Sequence, residues 1–182
     1  MKIGSIFNRH GVAFHLTGGV VASYYGEQRN TQDVDIVAQM ASCRNPDALF
    51  DDLRKLFLLD KGTYNEAIRN KSMFQILDID TLARADIYAA TDVPKSFERA
   101  VPVKIAENFV LPVAAPEDSI LSKLIWIKRG SGRSKKDVVG ILRVQENLDN
   151  DYLYTTAESL GVKEILEELK VIADSYDPTI VL

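Results

Sequence analysis

Cysteine, histidine and tryptophan are scarce in the 182 residues, at one, two and one respectively. Cys43, being single, allows neither an internal disulfide nor a cysteine-cluster metal site. His10 and His15 have no further histidine at ligand spacing and are read as structural. No apolar run approaches the length of a membrane span, so no membrane segment is expected. The opening residues, MKIGSIFNRHGVAF, lack the apolar stretch and small-residue cleavage site of a secretory signal, and the expected compartment is the cytoplasm. Positive charge is not in excess: 22 Lys and Arg stand against 26 Asp and Glu, a net charge of −4. That balance speaks against broad nucleic-acid binding and leaves room for a local basic site. Internal repeats and low-complexity linkers are also missing. What is present is an ordinary globular composition, 46% hydrophobic and 26% charged. The length suggests one domain with an appended helical segment.

The most informative stretch is Leu16 to Ala38, LTGGVVASYYGEQRNTQDVDIVA. Asp33-Val34-Asp35-Ile36-Val37 alternates acid with β-branched residues, the pattern of a strand whose two acids share one face. Carboxylates on one strand face lie about 6–7 Å apart. They repel each other unless a cation lies between them. Mg²⁺ favours one or two protein carboxylates together with substrate phosphates, so the pair suits a metal-bound nucleotide. Upstream, Ala13 to Thr17 reads as a strand, Gly18-Gly19 as a turn, and Val20 to Tyr25 as a short helix closed by Gly26. Glycine at a strand-to-helix turn lets phosphate approach the backbone, and the helix N-terminus offers free N–H groups. A Gly-Gly pair alone is usually just a turn, and two alternating acids alone are usually a solvated strand face. Together they supply both halves of a nucleotide site. Ser23, Tyr24 and Tyr25 have no histidine–acid partnership of the kind that activates a nucleophile.

Gly18-Gly19 followed by Arg29-x-Thr31-x-Asp33-x-Asp35 resembles the nucleotidyltransferase superfamily related to DNA polymerase β, and within it the small bacterial AbiEii-type proteins. The resemblance implies an α+β fold: a mixed β-sheet flanked by helices, with a C-terminal helical segment. It places the triphosphate over Gly18 and Gly19 and divalent cations, Mg²⁺ or Mn²⁺, on Asp33, Asp35 and a third acid. Arg84-Ala85-Asp86-Ile87-Tyr88 fits the third position, and Asp86 would then hold metal and accept the proton of an attacking hydroxyl. Arg29 would touch phosphate and Thr31 would position the strand; their bland readings are a loop residue and a turn hydroxyl. The substrate implied is a nucleoside triphosphate, and the acceptor is an RNA, a protein or a small molecule. The competing reading is a non-catalytic, partner-binding protein of a toxin–antitoxin system, using the C-terminal helices and apolar tail. A carboxylate-pair hydrolase fits less well, because it leaves the glycine turn and the basic cluster unused.

A catalytic core over 1–115 and a helical segment over 116–182 are expected. Residues 2–10 suit a short helix. Asn45 and Pro46 start a helix that runs to about Leu58. Lys61-Gly62-Thr63 reads as a turn, and 72–79 and 82–89 as strands joined near Asp80-Thr81. Asp78 and Asp80 form a rival acid pair, discounted because acids at a strand end usually enter turns. Pro94–Ala100 is expected to be helical, 101–105 and 109–113 to be strands. Helices follow at Pro116–Arg129, 135–145, 150–160 and 162–176. Lys123, Lys128, Arg129, Arg133, Lys135 and Lys136 crowd a glycine-rich turn with no acid among them. The bland reading is a solvated helix end, where cations are favoured. The functional reading makes Lys123, Arg133 and Lys136 phosphate ligands, and by resemblance Arg133-x-x-Lys136-Asp137 matches a motif of these enzymes. Asp137 would orient Arg133 or Lys136, or cap the next helix.

Overall fold

The computed structural model describes residues 2–31, 33–107 and 109–175, and these form two compact units. One comprises residues 1–20 and 31–114, and the other 21–30 and 115–182. Residues 21–30 therefore belong with the C-terminal helices, although the sequence places them inside the catalytic core.

The first unit is built on a mixed seven-stranded sheet of order β3-β4-β5-β2-β1-β7-β6 among the described residues. The strands are β1 (Phe14–Thr17), β2 (Val34–Ala38), β3 (Phe57–Leu58), β4 (Met73–Asp78), β5 (Arg84–Tyr88), β6 (Val101–Ala106) and β7 (Phe109–Val113). β2 runs antiparallel to β1 and parallel to β5, and β1 runs parallel to β7. Because side chains alternate along a strand, one sheet face collects Leu16, Ile36, Ile87, Phe74 and Ile76, all buried. Three helices of this unit supply the apolar counterpart: α1 (Lys2–Arg9), α3 (Pro46–Leu53) and α4 (Lys61–Asn70). Phe7 meets Phe14 at 5.6 Å between ring centroids, and Tyr64 lies 5.2 Å from Phe50 and 5.1 Å from Phe74.

Local chemistry sets the ends of these elements. Asn45 caps α3 by accepting from the Ala48 N–H, with Pro46 in the first turn. That helix stops at Leu53 rather than Leu58. Phe57 and Leu58 instead add to the sheet as β3, and the Ile79 N–H donates to the Leu56 carbonyl. Lys61-Gly62-Thr63 is the first turn of α4 and not a connecting turn. Asp60 accepts from Thr63 N at 2.7 Å and Thr63 Oγ1 at 2.9 Å, which satisfies the helix start and outweighs the low helix propensity of Gly62. Residues 94–100 form turns and no helix; Lys95, at φ +56°, interrupts the helical path. Asp78 accepts from the N–H groups of Asp80 and Thr81, and Lys2 bridges both acids, so this rival pair is a turn anchored to α1.

The second unit contains α5 (Pro116–Lys128), α6 (Ser134–Val144), α7 (Asn150–Ser159) and α8 (Lys163–Asp174). The 21–30 segment includes most of α2 (Gly18–Tyr25). Here Gly26 permits a close approach to α6. A Cβ at Gly26 would lie 2.8 Å from both the Gly140 carbonyl carbon and the Ile141 nitrogen. Gln145 donates to the Tyr25 carbonyl, and Arg143 pairs with Glu27. The expected tail, 177–182, and Tyr176 lie outside the described residues, as does Gln32.

Candidate active site

Asp35 sits at a crossing point of the sheet. Its register partners are Thr17 on β1 and Asp86 on β5. Alternation places Asp35 and Val37 on one face of β2, with Asp33 just ahead of the strand, and Arg84, Asp86 and Tyr88 on the same face of β5. Burying the other face, through Ile36 and Ile87, fixes this register, since a one-residue slip would send both acids into the core.

The glycine turn is fitted directly to this acid. Gly18 has φ +72°, a conformation costly for any other residue. A Cβ there would lie 1.8 Å from Asp35 Oδ2, 2.3 Å from Cγ and 2.6 Å from Cβ. Glycine is therefore required twice, by the backbone and by the carboxylate. The Gly19 N–H, in the first turn of α2, donates to Asp35 Oδ2 at 3.4 Å. On the other side Tyr88 OH donates to Asp35 Oδ1 at 3.5 Å. Burial first, then the charges of Asp35 and Asp86, push the Tyr88 phenol up to about 12, so it is a permanent donor near neutral pH.

Asp86 accepts from Gln75 Nε2 on β4 at 2.8 Å. Asp33 is engaged by Arg84, whose Nε and Nη2 both reach Asp33 Oδ1, at 2.8 and 2.6 Å. Thr31 is exposed, and its hydroxyl donates to the Asp33 carbonyl at 3.3 Å. The expected trio of Asp33, Asp35 and Asp86 thus does not close into one cluster. Among the described residues no group of three or more His, Cys, Asp and Glu side chains is arranged to hold a metal. The chemistry of the donor set still suits Mg²⁺. Asp35 and Asp86 are register partners on adjacent strands, about 4.8 Å apart, and paired carboxylates of this kind favour an intervening cation. Mg²⁺ needs only one or two such ligands when substrate oxygens and water complete its shell.

Sequence reasoning does not single out Thr17, Gln75 or Tyr88 as site residues, and it uses Arg84 only to mark the acid. The available signal is that Arg84 precedes Asp86 by two residues as Asp33 precedes Asp35. Reading it requires knowing that β2 and β5 are parallel neighbours.

The remaining expected residues lie in the second unit. Asp137, in the first turn of α6, is clamped by Arg29 through Nε at 2.7 Å and Nη2 at 3.1 Å, and by Lys123 Nζ at 2.7 Å. Among the described residues Asp137 therefore serves Arg29 and Lys123, and not Arg133 or Lys136 of its own segment. Lys123 is 2% exposed, with its ammonium also 5.3 Å from the centre of the Trp126 ring. Arg133 and Lys136 are exposed. Lys128 donates to the carbonyls of Leu160 and Gly161, a helix-end role that it performs at the end of α7.

Both histidines are structural. His10 lies 3.0 Å from Asp52. Buried His15 places Nδ1 3.1 Å from the Leu16 carbonyl and Nε2 3.2 Å from Ser96 Oγ. A carbonyl only accepts, so Nδ1 carries the proton and Ser96 donates to Nε2. Burial lowers the pKa of this ring.

No protein-family model and no curated protein matches the sequence. Solved structures do. The crystal structure of an antigenic nucleotidyltransferase-like protein from Paracoccidioides brasiliensis is 12% identical, with 95% of this chain and 89% of that one covered and a TM-score of 0.53. ANT(2")-Ia in complex with adenylyl-2"-tobramycin is 12% identical over 96% of this chain and 94% of that one, at a TM-score of 0.47. The lincomycin-bound lincosamide antibiotic adenylyltransferase LnuA is also 12% identical, over 79% of this chain and 94% of that one, at a TM-score of 0.44. The AbiEii-type resemblance rests on the sequence motif alone. A mixed sheet carrying paired acids beside a glycine turn, together with the likeness to the Paracoccidioides structure, gives this chain the nucleotidyltransferase fold.

Proposed function

We propose that this protein transfers a nucleoside monophosphate from a nucleoside triphosphate to an acceptor hydroxyl, with Mg²⁺ or Mn²⁺ as cofactor. The observation that carries the reading is the fit of Gly18 against Asp35, with Asp86 beside it in register. That geometry puts a helix N-terminus and two carboxylates in one place, as a metal-bound triphosphate demands. A divalent cation on Asp35 and Asp86 would neutralise charge on the reacting phosphate.

In this reading the Gly18–Gly19 turn receives the β- and γ-phosphates on its N–H groups. The acceptor oxygen forms a bond to the α-phosphorus while the bond from that phosphorus to the bridging oxygen breaks. Pyrophosphate leaves with the bonding electrons, and the hydroxyl proton passes to the Asp86 carboxylate. Gln75 orients Asp86, Tyr88 orients Asp35, and Arg84 balances the charge of Asp33. The chain contributes positioning and charge, as in phosphoryl transfer generally.

Thermal unfolding with each of the four nucleoside triphosphates, with and without Mg²⁺, tests this. A ligand that binds only the native state raises its stability, by about 2.7 kcal/mol at a hundredfold excess over Kd. A metal-dependent rise in the wild type that disappears in Asp35→Asn is expected. An equal rise in Asp35→Asn would remove the role given to that carboxylate.

A further inference from the structure

The resemblance implies divalent cations on Asp33, Asp35 and Asp86 together, but the three acids have unequal surroundings. Asp35 accepts from the Gly19 N–H and the Tyr88 hydroxyl, and Asp86 accepts from the Gln75 amide. These donors are neutral, so they orient a carboxylate without cancelling its charge. Asp33 differs. Its Oδ1 receives two donors of a guanidinium, Arg84 Nε at 2.8 Å and Nη2 at 2.6 Å. Contacts this short between Arg and a carboxylate are charge-assisted and stronger than neutral ones.

Position explains the difference. Parallel pairing sets Val34 opposite Ala85 and Asp35 opposite Asp86. Running that register back one residue brings Arg84 level with Asp33, one strand spacing away, about 4.8 Å. Arg84 opens β5, and its backbone is held from the other side by pairing with Leu77 on β4. An exposed ion pair by itself contributes little. This one stands beside two further acids, Asp86 two residues along β5 and Asp35 opposite it on β2. The three carboxylates and the guanidinium together carry two negative charges, which one divalent cation balances. A second cation would have to share Asp33 with a guanidinium while lying about 3.5–4 Å from the first. Like charges crowded in that way repel.

The guanidinium also has donors to spare. Arginine carries five N–H groups, and Nη1 of Arg84 makes no hydrogen bond among the described residues. A planar fork with open donors suits phosphate oxygens. We infer that the site takes one divalent cation, on Asp35 and Asp86, and that Arg84, seated on Asp33, stands in for a second by donating to the triphosphate. Asp33 is then a positioning residue for Arg84 and not a metal ligand. This inference rests on the function proposed above and fixes its metal count.

Manganese counts the sites. The full chain is placed in equilibrium dialysis with Mn²⁺ and, in turn, each of the four α,β-methylene nucleoside triphosphates, in which carbon replaces the bridging oxygen and blocks transfer. The excess of Mn²⁺ and of nucleotide on the protein side gives their ratio in the complex, and EPR reports whether bound ions are spin-coupled. The wild type should hold one Mn²⁺ per nucleotide, without coupling. Arg84 has 44% of its side chain exposed, so Arg84→Ala leaves the core intact. That variant should hold two Mn²⁺ per nucleotide, coupled as expected for ions about 4 Å apart. Arg84→Lys keeps a cation at Asp33 and should restore the ratio to one. Asp33→Asn should keep one Mn²⁺, whereas Asp35→Asn should lose it. Two Mn²⁺ in the wild type, one in Arg84→Ala, or loss of the ion in Asp33→Asn would overturn this inference and leave the nucleotide site standing. No excess of Mn²⁺ or nucleotide on the wild-type side, with any of the four, would remove the proposed function and this inference together.

Discussion

Replacing Gly18 by alanine probes the glycine turn and the acid in one experiment. Two separate penalties apply. The backbone at φ +72° costs an L-residue about 1–2 kcal/mol. The new Cβ would also press on Asp35, at 1.8 Å from Oδ2 and 2.6 Å from Cβ. Rotating the Asp35 side chain relieves the first contact and not the second, so β2 or the turn must shift. Overpacking of this kind costs about 1–3 kcal/mol. Alanine restricts the unfolded chain and returns about 0.4–1 kcal/mol. The net loss expected is roughly 2–4 kcal/mol, or a fall in Tm of about 5–15 °C for a chain of this size. Chemical denaturation of a double-mutant cycle with Asp35→Ala isolates the share of the carboxylate. In the Asp35→Ala background the contacts to Oδ2 and Cγ are gone, while the Cβ contact at 2.6 Å and the backbone penalty stay, so Gly18→Ala should cost measurably less than in the wild type. Magnesium-dependent nucleotide stabilisation should be lost in Gly18→Ala. An equal cost in both backgrounds, or a loss below about 0.5 kcal/mol, would refute the claim that the turn is fitted to the carboxylate.

Three other perturbations have defined outcomes. Asp137→Asn removes the carboxylate on which the buried Lys123 ammonium sits, and should destabilise the protein by about 3–5 kcal/mol in urea titration; a loss under about 1 kcal/mol would show the ion triad to be incidental. Gly26→Ala forces a Cβ against the backbone of Gly140 and Ile141, which no side-chain rotation relieves, and should cost about 1–3 kcal/mol by the same titration. Acid unfolding should report Asp78. The Lys2 ammonium and the Thr81 and Asp80 N–H groups hold its pKa down at about 2, below the ordinary carboxylate range. A carboxyl depressed in the folded state contributes stability above its unfolded pKa and loses it as pH falls toward its folded one. The wild type should therefore lose stability between about pH 4 and pH 2, and Asp78→Asn should flatten that part of the profile.

The sequence by itself determined the elements that depend on near neighbours. Asp33 to Val37 alternates acid with β-branched residues, a strand pattern, and a strand forms over Val34–Ala38. Asn45-Pro46 and Pro116 start helices because caps and proline act within one turn. The pairing of Gly18-Gly19 with Asp35 is legible as a motif, since both halves serve one substrate. The N-terminal end of α4 is not, because the Asp60 side chain decides it and the Lys61-Gly62 pair does not. β3 is hidden because Phe57 and Leu58 continue a helical spacing, and only the edge of β4 draws them into the sheet.

Tertiary structure decided which charges meet. Arg29 and Asp137 are 108 residues apart in the chain, and Arg84 and Asp33 are 51 apart, and neither pairing has a local signature. Lys123, which its basic cluster marks as an expected phosphate ligand, is buried against Asp137 and Trp126, and no periodicity foretells either contact. Periodicity shows that a helix has a buried face and does not show which residue waits on the neighbouring helix. The same holds for the acids. Alternation in the sequence puts Asp33 and Asp35 on one face of an expected strand, but β2 begins at Val34, and the parallel register with β5 is what sets Asp86 beside Asp35 and brings Arg84 within reach of Asp33. Strand order is fixed by burial of the whole opposite face, a sum over many residues that no single segment contains.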